Sequence, residues 1–255
     1  MSRSMSRFGV VTLFDVDNTL LDNDRIVADM RRHLGRTVGD EQQKRYWELF
    51  EQLRQELGYA DYLGALQRFR IEDPHRPHLL AVSTFLLGYA FANRLFPGSL
   101  DAIEHARSWG PVAILSDGDV VFQPLKVQHS GLFEAVEGNV LIYVHKELEL
   151  GDVEARFPAD HFVFVDDKPR LCTAIKAHWG MRVTTVFPRQ GHYAHDAAAV
   201  AAQPPPDVTI ERIDEFVGLD LEMLRAASRP SPARDGSPRA ASRAPGRRTG
   251  RCARW

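Results

Sequence analysis

The stretch Phe8-Gly9-Val10-Val11-Thr12-Leu13-Phe14 runs straight into Asp15-Val16-Asp17-Asn18-Thr19-Leu20. An apolar run of this length, with no polar alternation, fits a strand buried on both faces in a parallel sheet. Acids that follow such a strand lie at the carboxyl edge of the sheet, where open α/β folds bind their ligands.

The same arrangement recurs downstream. Val112 to Leu115 leads into Ser116-Asp117-Gly118, Val140 to Val144 precedes His145-Lys146, and Phe162 to Val165 precedes Asp166-Asp167. A last strand is expected over Arg182 to Phe187. Between these runs lie helical patterns. One starts at a Ser99 or Asp101 cap and reaches about Trp109 before Gly110, one covers Phe122 to Ser130 before Gly131, and one runs from Pro169 to His178. Strands alternating with helices predict an α/β fold with a parallel sheet and right-handed crossovers. That topology brings Asp15, Asp17, Ser116, Lys146, Asp166 and Asp167 to one rim.

Asp22 to about Leu95 breaks the alternation. Tyr46, Leu49, Phe50, Leu53 and Leu57 recur at helical spacing, as do the apolar residues of Leu79 to Phe91, and no strand-like segment intervenes. The chain therefore divides into an α/β core over 8–21 and 96–220 and a helical insert over 22–95. The aromatics Tyr46, Trp47, Phe50, Tyr59 and Tyr62 read as the insert's own core. His75 and His78 flank prolines without metal-ligand spacing, and Gly191-His192-Tyr193 reads as a surface loop outside the catalytic set.

The 255 residues carry a formal charge of -2, but from Arg225 to Trp255 nine arginines face one acid, Asp235. This tail has too few aliphatic residues to offset its ordering entropy, so 225–255 is expected to be disordered, and its arginines do not indicate a nucleic-acid partner. Two cysteines, Cys172 and Cys252, are too few for a disulfide framework. With no apolar run suited to a signal peptide or a membrane span, the expected setting is the cytoplasm. The oligomeric state is left open.

Carboxylates gathered at one place repel unless a cation sits among them. A donor set of oxygens without histidine suits Mg²⁺, which shares its coordination with water and substrate phosphate. The Ser116 hydroxyl and the Asp117-Gly118 turn offer donors for phosphate oxygens, and Lys146 offers a compact positive charge. Asp15 and Asp17, two apart, could divide the work of nucleophile and proton carrier. The set fits phosphoryl transfer from a small phosphorylated metabolite.

Asp15-Val16-Asp17-Asn18-Thr19-Leu20 resembles the first motif of the haloacid dehalogenase (HAD) superfamily of phosphatases, Ser116 the second, Lys146 the third and Val165-Asp166-Asp167 the fourth. The resemblance implies a HAD-like Rossmannoid core with a helical C1-type cap inserted after the first strand. It implies Asp15 as nucleophile and metal ligand, and Asp17 as general acid/base with its carbonyl on Mg²⁺. Ser116 and Lys146 would hold the phosphoryl group, and Asp167 the metal. Asp166 stands where many members have glycine, and Leu171 where many have a further acid, so Asp166 is expected to substitute as a ligand. Asp17 argues against dehalogenation, which needs no proton-carrying acid there. A phosphomutase, or a catalytically weak regulatory relative, remains an alternative reading. A phospho-acceptor receiver domain would be shorter and would lack the insert.

Overall fold

The computed structural model describes residues 7–75 and 78–229. Strand β1 (Phe8–Phe14) is followed by four helices: α1 (Asn23–Val38), α2 (Asp40–Leu57), α3 (Tyr62–Glu72) and α4 (Leu79–Leu87). The chain then alternates through α5 (Ser99–Arg107), β2 (Val112–Asp117), α6 (Phe122–His129), α7 (Leu132–Ala135) and β3 (Val140–Tyr143). It continues with α8 (Leu150–Arg156), β4 (Ala159–Val165), α9 (Pro169–Trp179), β5 (Val183–Pro188), α10 (Gly191–His195), α11 (Ala197–Ala201), β6 (Val208–Ile210) and α12 (Leu221–Ala227). The expected α/β class with a parallel sheet is what forms.

The six strands pair in the order β3-β2-β1-β4-β5-β6, all parallel. The β1 run lies at the centre because both of its faces can be covered. Val10 and Phe14 pack into one apolar cluster, and Val11 and Leu13 into another on the opposite face. The first cluster continues into the insert, where Tyr46, Trp47, Phe50, Tyr62 and Phe69 are buried together. Tyr62 meets Phe122 of α6 at 5.0 Å between ring centroids, and Phe91 meets the same ring at 5.6 Å. Tyr59 stays partly exposed and is not part of that core.

Local chemistry sets the helix boundaries. The Asp22 side chain accepts from Arg25 N at the start of α1, and Asp61 accepts from Gly64 N at the start of α3. The two connections between core and insert lie side by side: Asp22 N donates to Arg94 O (2.7 Å) and Phe96 N to Leu20 O (2.9 Å). Ser99 does not cap α5. Its hydroxyl donates to Leu20 O (2.7 Å) and pins one of these connections. The residue preceding the helix is Gly98, at φ 81°.

Several expected elements shift. The helix expected over Leu79 to Phe91 ends at Leu87, before Gly88, and a short 3₁₀ turn covers Phe91–Arg94. The strand expected to Val144 stops at Tyr143. β6 was not anticipated, because three residues after a proline run carry little pattern. It is placed by Asp207, which accepts from Thr185 N (2.8 Å) and from Lys176 Nζ (2.8 Å). Residues 225–229, expected to belong to a disordered tail, are ordered. α12 runs to Ala227, capped by Asp220 and anchored by buried Leu224, and Arg225 Nη2 donates to Gly9 O (3.0 Å). The rest of that tail lies outside the described residues. No helix among the described residues is long and apolar enough to cross a membrane.

Gly98 is tied to its position by both conformation and contact, since a Cβ there would meet Asp214 Cα at 2.6 Å. Gly98→Ala is expected to lower the unfolding free energy by roughly 1–3 kcal/mol in urea titrations. Gly9→Ala, where a Cβ meets nothing within 4 Å, should leave it nearly unchanged.

Candidate active site

Every strand from β1 to β4 delivers a polar side chain to the carboxyl edge. Asp15 follows β1 directly, and its amide still donates to Val165 O on β4 (2.9 Å), so the strand pairing fixes its position. Its carboxylate is fully buried. Lys146 Nζ donates to Asp15 Oδ1 (2.6 Å) and to Leu115 O (3.0 Å), and makes a second ionic contact at 2.7 Å with Asp166 Oδ2. Ser116 Oγ lies 3.4 Å from the same Asp15 oxygen, and Thr19 Oγ1 lies 3.4 Å from the other. Thr19 Oγ1 also accepts from Asp167 N (3.1 Å), which ties the β4 loop to the first motif.

Asp15, Asp166 and Asp167 form a buried carboxylate cluster, with one oxygen from each within 4.8 Å of the others. Both carboxylate oxygens of Asp167 are buried without a hydrogen-bond partner among the described residues. A buried carboxylate left this way is strongly unfavourable unless it is protonated or binds a cation. The donor set therefore fits a hard divalent ion: oxygens only, no histidine, and a carboxylate lacking a protein partner. The Val16 carbonyl accepts three amides at this turn, whereas the Asp17 carbonyl accepts none among the described residues.

Proton affinities follow from the same geometry. Burial favours the protonated form of Asp15, but the ammonium groups of Lys146 and Lys168 outweigh it and hold the carboxyl below its usual range. Burial, with Asp15 beside it, pushes Asp166 up to about 6 despite Lys146. Burial and the adjacent Asp166 push Asp167 well above the carboxylate range. Burial works against the charged form of Lys146, yet Asp15, Asp166 and Asp117 keep it protonated far into alkali.

Of the two residues expected to offer backbone amides to phosphate, Gly118 has its amide engaged in the sheet, and Asp117 uses its carboxylate within the site. The Asp117 carboxylate accepts from Lys146 N (2.7 Å) and so positions the lysine. The Gly118 amide donates to Tyr143 O (3.0 Å) and extends the pairing of β2 with β3. Of that turn, Ser116 Oγ is the donor that faces Asp15, and it is oriented by Gln123 Nε2 at 3.0 Å. The Asp17 carboxylate stands apart from the three-acid cluster, against Lys126 Nζ (2.6 Å).

The pattern of haloacid dehalogenase-like hydrolases matches residues 11–177, a segment that contains all of these side chains. The chain belongs to that family.

A haloacid dehalogenase-like hydrolase from Burkholderia xenovorans LB400 is 57% identical, superposes with a TM-score of 0.81, and covers 85% of this chain and 99% of its own. Two more distant structures share the fold. The L-2-haloacid dehalogenase of Xanthobacter autotrophicus is 17% identical, with a TM-score of 0.54 over 82% of this chain and 96% of its own. The magnesium-bound HAD hydrolase YfnB of Bacillus subtilis is 16% identical, with a TM-score of 0.53 over 84% and 98%. No curated protein matches the sequence.

Within this HAD hydrolase, sequence reasoning missed Thr19, Gln123, Lys126 and Lys168. Gln123 and Lys126 had a readable signal. They sit three apart on α6 with Phe122 and Val127, so two polar side chains fall on a buried helix face. Lys168 follows Asp167 directly, and its Nζ lies 5.8 Å from the Tyr193 ring centroid. His192, left outside the catalytic set, pairs with Asp24 at 2.6 Å (Nδ1 to Oδ1).

The raised carboxyls set a pH dependence. Asp166 and Asp167 bind protons more tightly folded than unfolded, so their contribution to metal-free stability falls as pH climbs, for Asp166 from about 4 through about 6. A divalent cation replaces those protons. Mg²⁺ should therefore raise the melting temperature more at about pH 8 than at about pH 5 in thermal scans. Asp167→Asn should raise the metal-free melting temperature at the higher pH and abolish the Mg²⁺ shift.

Proposed function

We propose that this HAD hydrolase is a magnesium-dependent phosphohydrolase acting on a small phosphomonoester through a phosphoaspartate on Asp15. The observation that carries the reading is the Asp167 carboxylate, without a hydrogen-bond partner among the described residues, beside a nucleophile-competent Asp15 whose proton affinity two lysines depress. Three carboxylates face two ammonium groups at the rim. A divalent cation would reverse the net sign and make the site attractive to an anion.

In this reading Asp15, Asp167 and the Asp17 carbonyl would hold the metal, with Asp166 beside them, and the ion would supply neutralisation of phosphoryl charge. Lys146 and Ser116 orient the phosphoryl oxygens in line with Asp15. A carboxylate oxygen of Asp15 forms a bond to phosphorus while the ester P–O bond breaks, and the departing oxygen takes a proton from Asp17. Asp17, now ionised, removes a proton from a water that attacks phosphorus. The Asp15 O–P bond breaks, and inorganic phosphate leaves with both residues restored.

The dehalogenase fold relatives raise a different chemistry, carboxylate attack at carbon with halide departure. A halide leaves without a proton, so that reaction has no use for a proton-carrying acid, and Asp17 weighs against it. Within phosphoryl transfer, release of inorganic phosphate distinguishes hydrolysis from a mutase, which returns the phosphoryl group to substrate. The insert over 22–95 serves in this reading as a C1-type cap that selects the metabolite. Buried, unpaired Cys172 is compatible with a cytoplasmic setting, and neither nucleic acid nor membrane is part of the reading.

A panel of phosphorylated metabolites assayed for phosphate release with Mg²⁺ should identify turnover that EDTA removes. Asp15→Asn should abolish it with the fold intact by circular dichroism. Asp17→Asn should slow it by roughly 10²- to 10⁴-fold and allow phosphoenzyme to accumulate, detectable by intact mass. Full activity in Asp15→Asn would overturn the assignment.

A further inference from the structure

Lys126 is the residue in this region that the catalytic reading leaves without a task. It lies on α6 with 0% exposure, deeper than most of the apolar residues around it. An ammonium group taken fully out of water is strongly unfavourable unless charges and hydrogen bonds replace its hydration, and an apolar side chain would fill such a place more favourably. Its partners are Asp17 Oδ1 at 2.6 Å and Asn23 Oδ1 at 3.1 Å. Asp17 has no other cation within ion-pair distance among the described residues, and its side chain keeps 23% of its surface exposed. Lys126 therefore grips one oxygen of this carboxylate and leaves the other open.

The other half of the arrangement comes from the insert. Asn23 is the first residue of α1, and its side chain is close enough to the Tyr62 hydroxyl to oppose the rise in proton affinity that burial causes there. Tyr62 is the first residue of α3, and its ring lies between Phe50 of α2 (4.8 Å) and Phe122 of α6 (5.0 Å). Its backbone carbonyl accepts from the Tyr46 hydroxyl at 2.9 Å. The polar chain Tyr62–Asn23–Lys126–Asp17 thus runs from the middle of the helical insert to the acid at the sheet edge, walled by aromatic rings.

We propose that Lys126 is a positioning residue that aims Asp17, and that docking of the insert through Tyr62 and Asn23 completes its grip. The inference rests on the phosphohydrolase reading, in which Asp17 gives and takes the proton. With Oδ1 held, Oδ2 carries the proton to the ester oxygen and later receives one from water.

The test reads leaving-group dependence. An ester with a strongly acidic phenol leaving group needs no proton, whereas an alkyl ester does. Lys126→Met fills the same space without charge. It is expected to lower kcat/KM roughly 10²-fold for alkyl phosphates and less than about tenfold for 4-nitrophenyl phosphate, because general-acid help is what it removes. Lys126→Arg should recover part of the alkyl-ester activity. Tyr62→Phe keeps the ring and deletes the hydroxyl beside Asn23, so it should show the same skew at smaller size. An equal loss on both ester classes in Lys126→Met would make the lysine a structural pair and overturn the proposal. An unchanged Tyr62→Phe would overturn the link to the insert. Asp15→Asn run alongside separates the two levels: without Asp15-dependent turnover in the parent enzyme, the phosphohydrolase reading fails and takes this inference with it.

Discussion

Lys146 lies fully buried between Asp15 and Asp166, and the order of the site depends on that contact. Three acids cannot share a dry pocket without opposing charge, and Lys146 supplies the part of it that is covalently fixed. Its placement draws on most of the core. The sheet puts β3 beside β2, the Asp117 carboxylate catches the Lys146 amide, and the Leu115 carbonyl accepts from the ammonium group. Neutralisation is incomplete by design of the donor set: Asp167 keeps two buried oxygens without hydrogen-bond partners among the described residues. A residual negative charge of this kind is what a divalent cation answers.

The same pocket separates two kinds of carboxylate. Asp15, close to two ammonium groups, stays ionised, while Asp166 and Asp167 hold protons more strongly. Asp17 sits in a third environment, on the far side of the turn, where α6 and the first helix of the insert meet it. Neighbouring acids in the sequence thus receive distinct surroundings, and chemical division of labour follows from position rather than residue type.

Much of this was legible in the chain. Apolar runs ending in Asp15, Ser116, Lys146 and Asp166-Asp167 indicated four strand ends, and parallel pairing could only gather them at one rim. The helical spacing of Tyr46, Phe50 and Leu53 marked the insert. Less legible were β6, too short to carry a period, and the roles within the Ser116-Asp117-Gly118 turn. There the backbone helps decide which donors remain: the Gly118 amide completes the β2–β3 pairing, the Asp117 carboxylate orients Lys146, and the Ser116 hydroxyl faces Asp15.

The sequence by itself determined the α/β class, the position of the insert and the acids at the sheet edge, because these follow from local hydrophobic periodicity and from the end of each strand. Only the tertiary structure decided how those charges are matched. Lys126 and Asp17 lie 109 residues apart, and Lys146 and Asp15 lie 131 apart. No local pattern records such pairings. They arise when strand order and helix packing bring distant charges into one desolvated volume, where each must find an opposite charge or a proton.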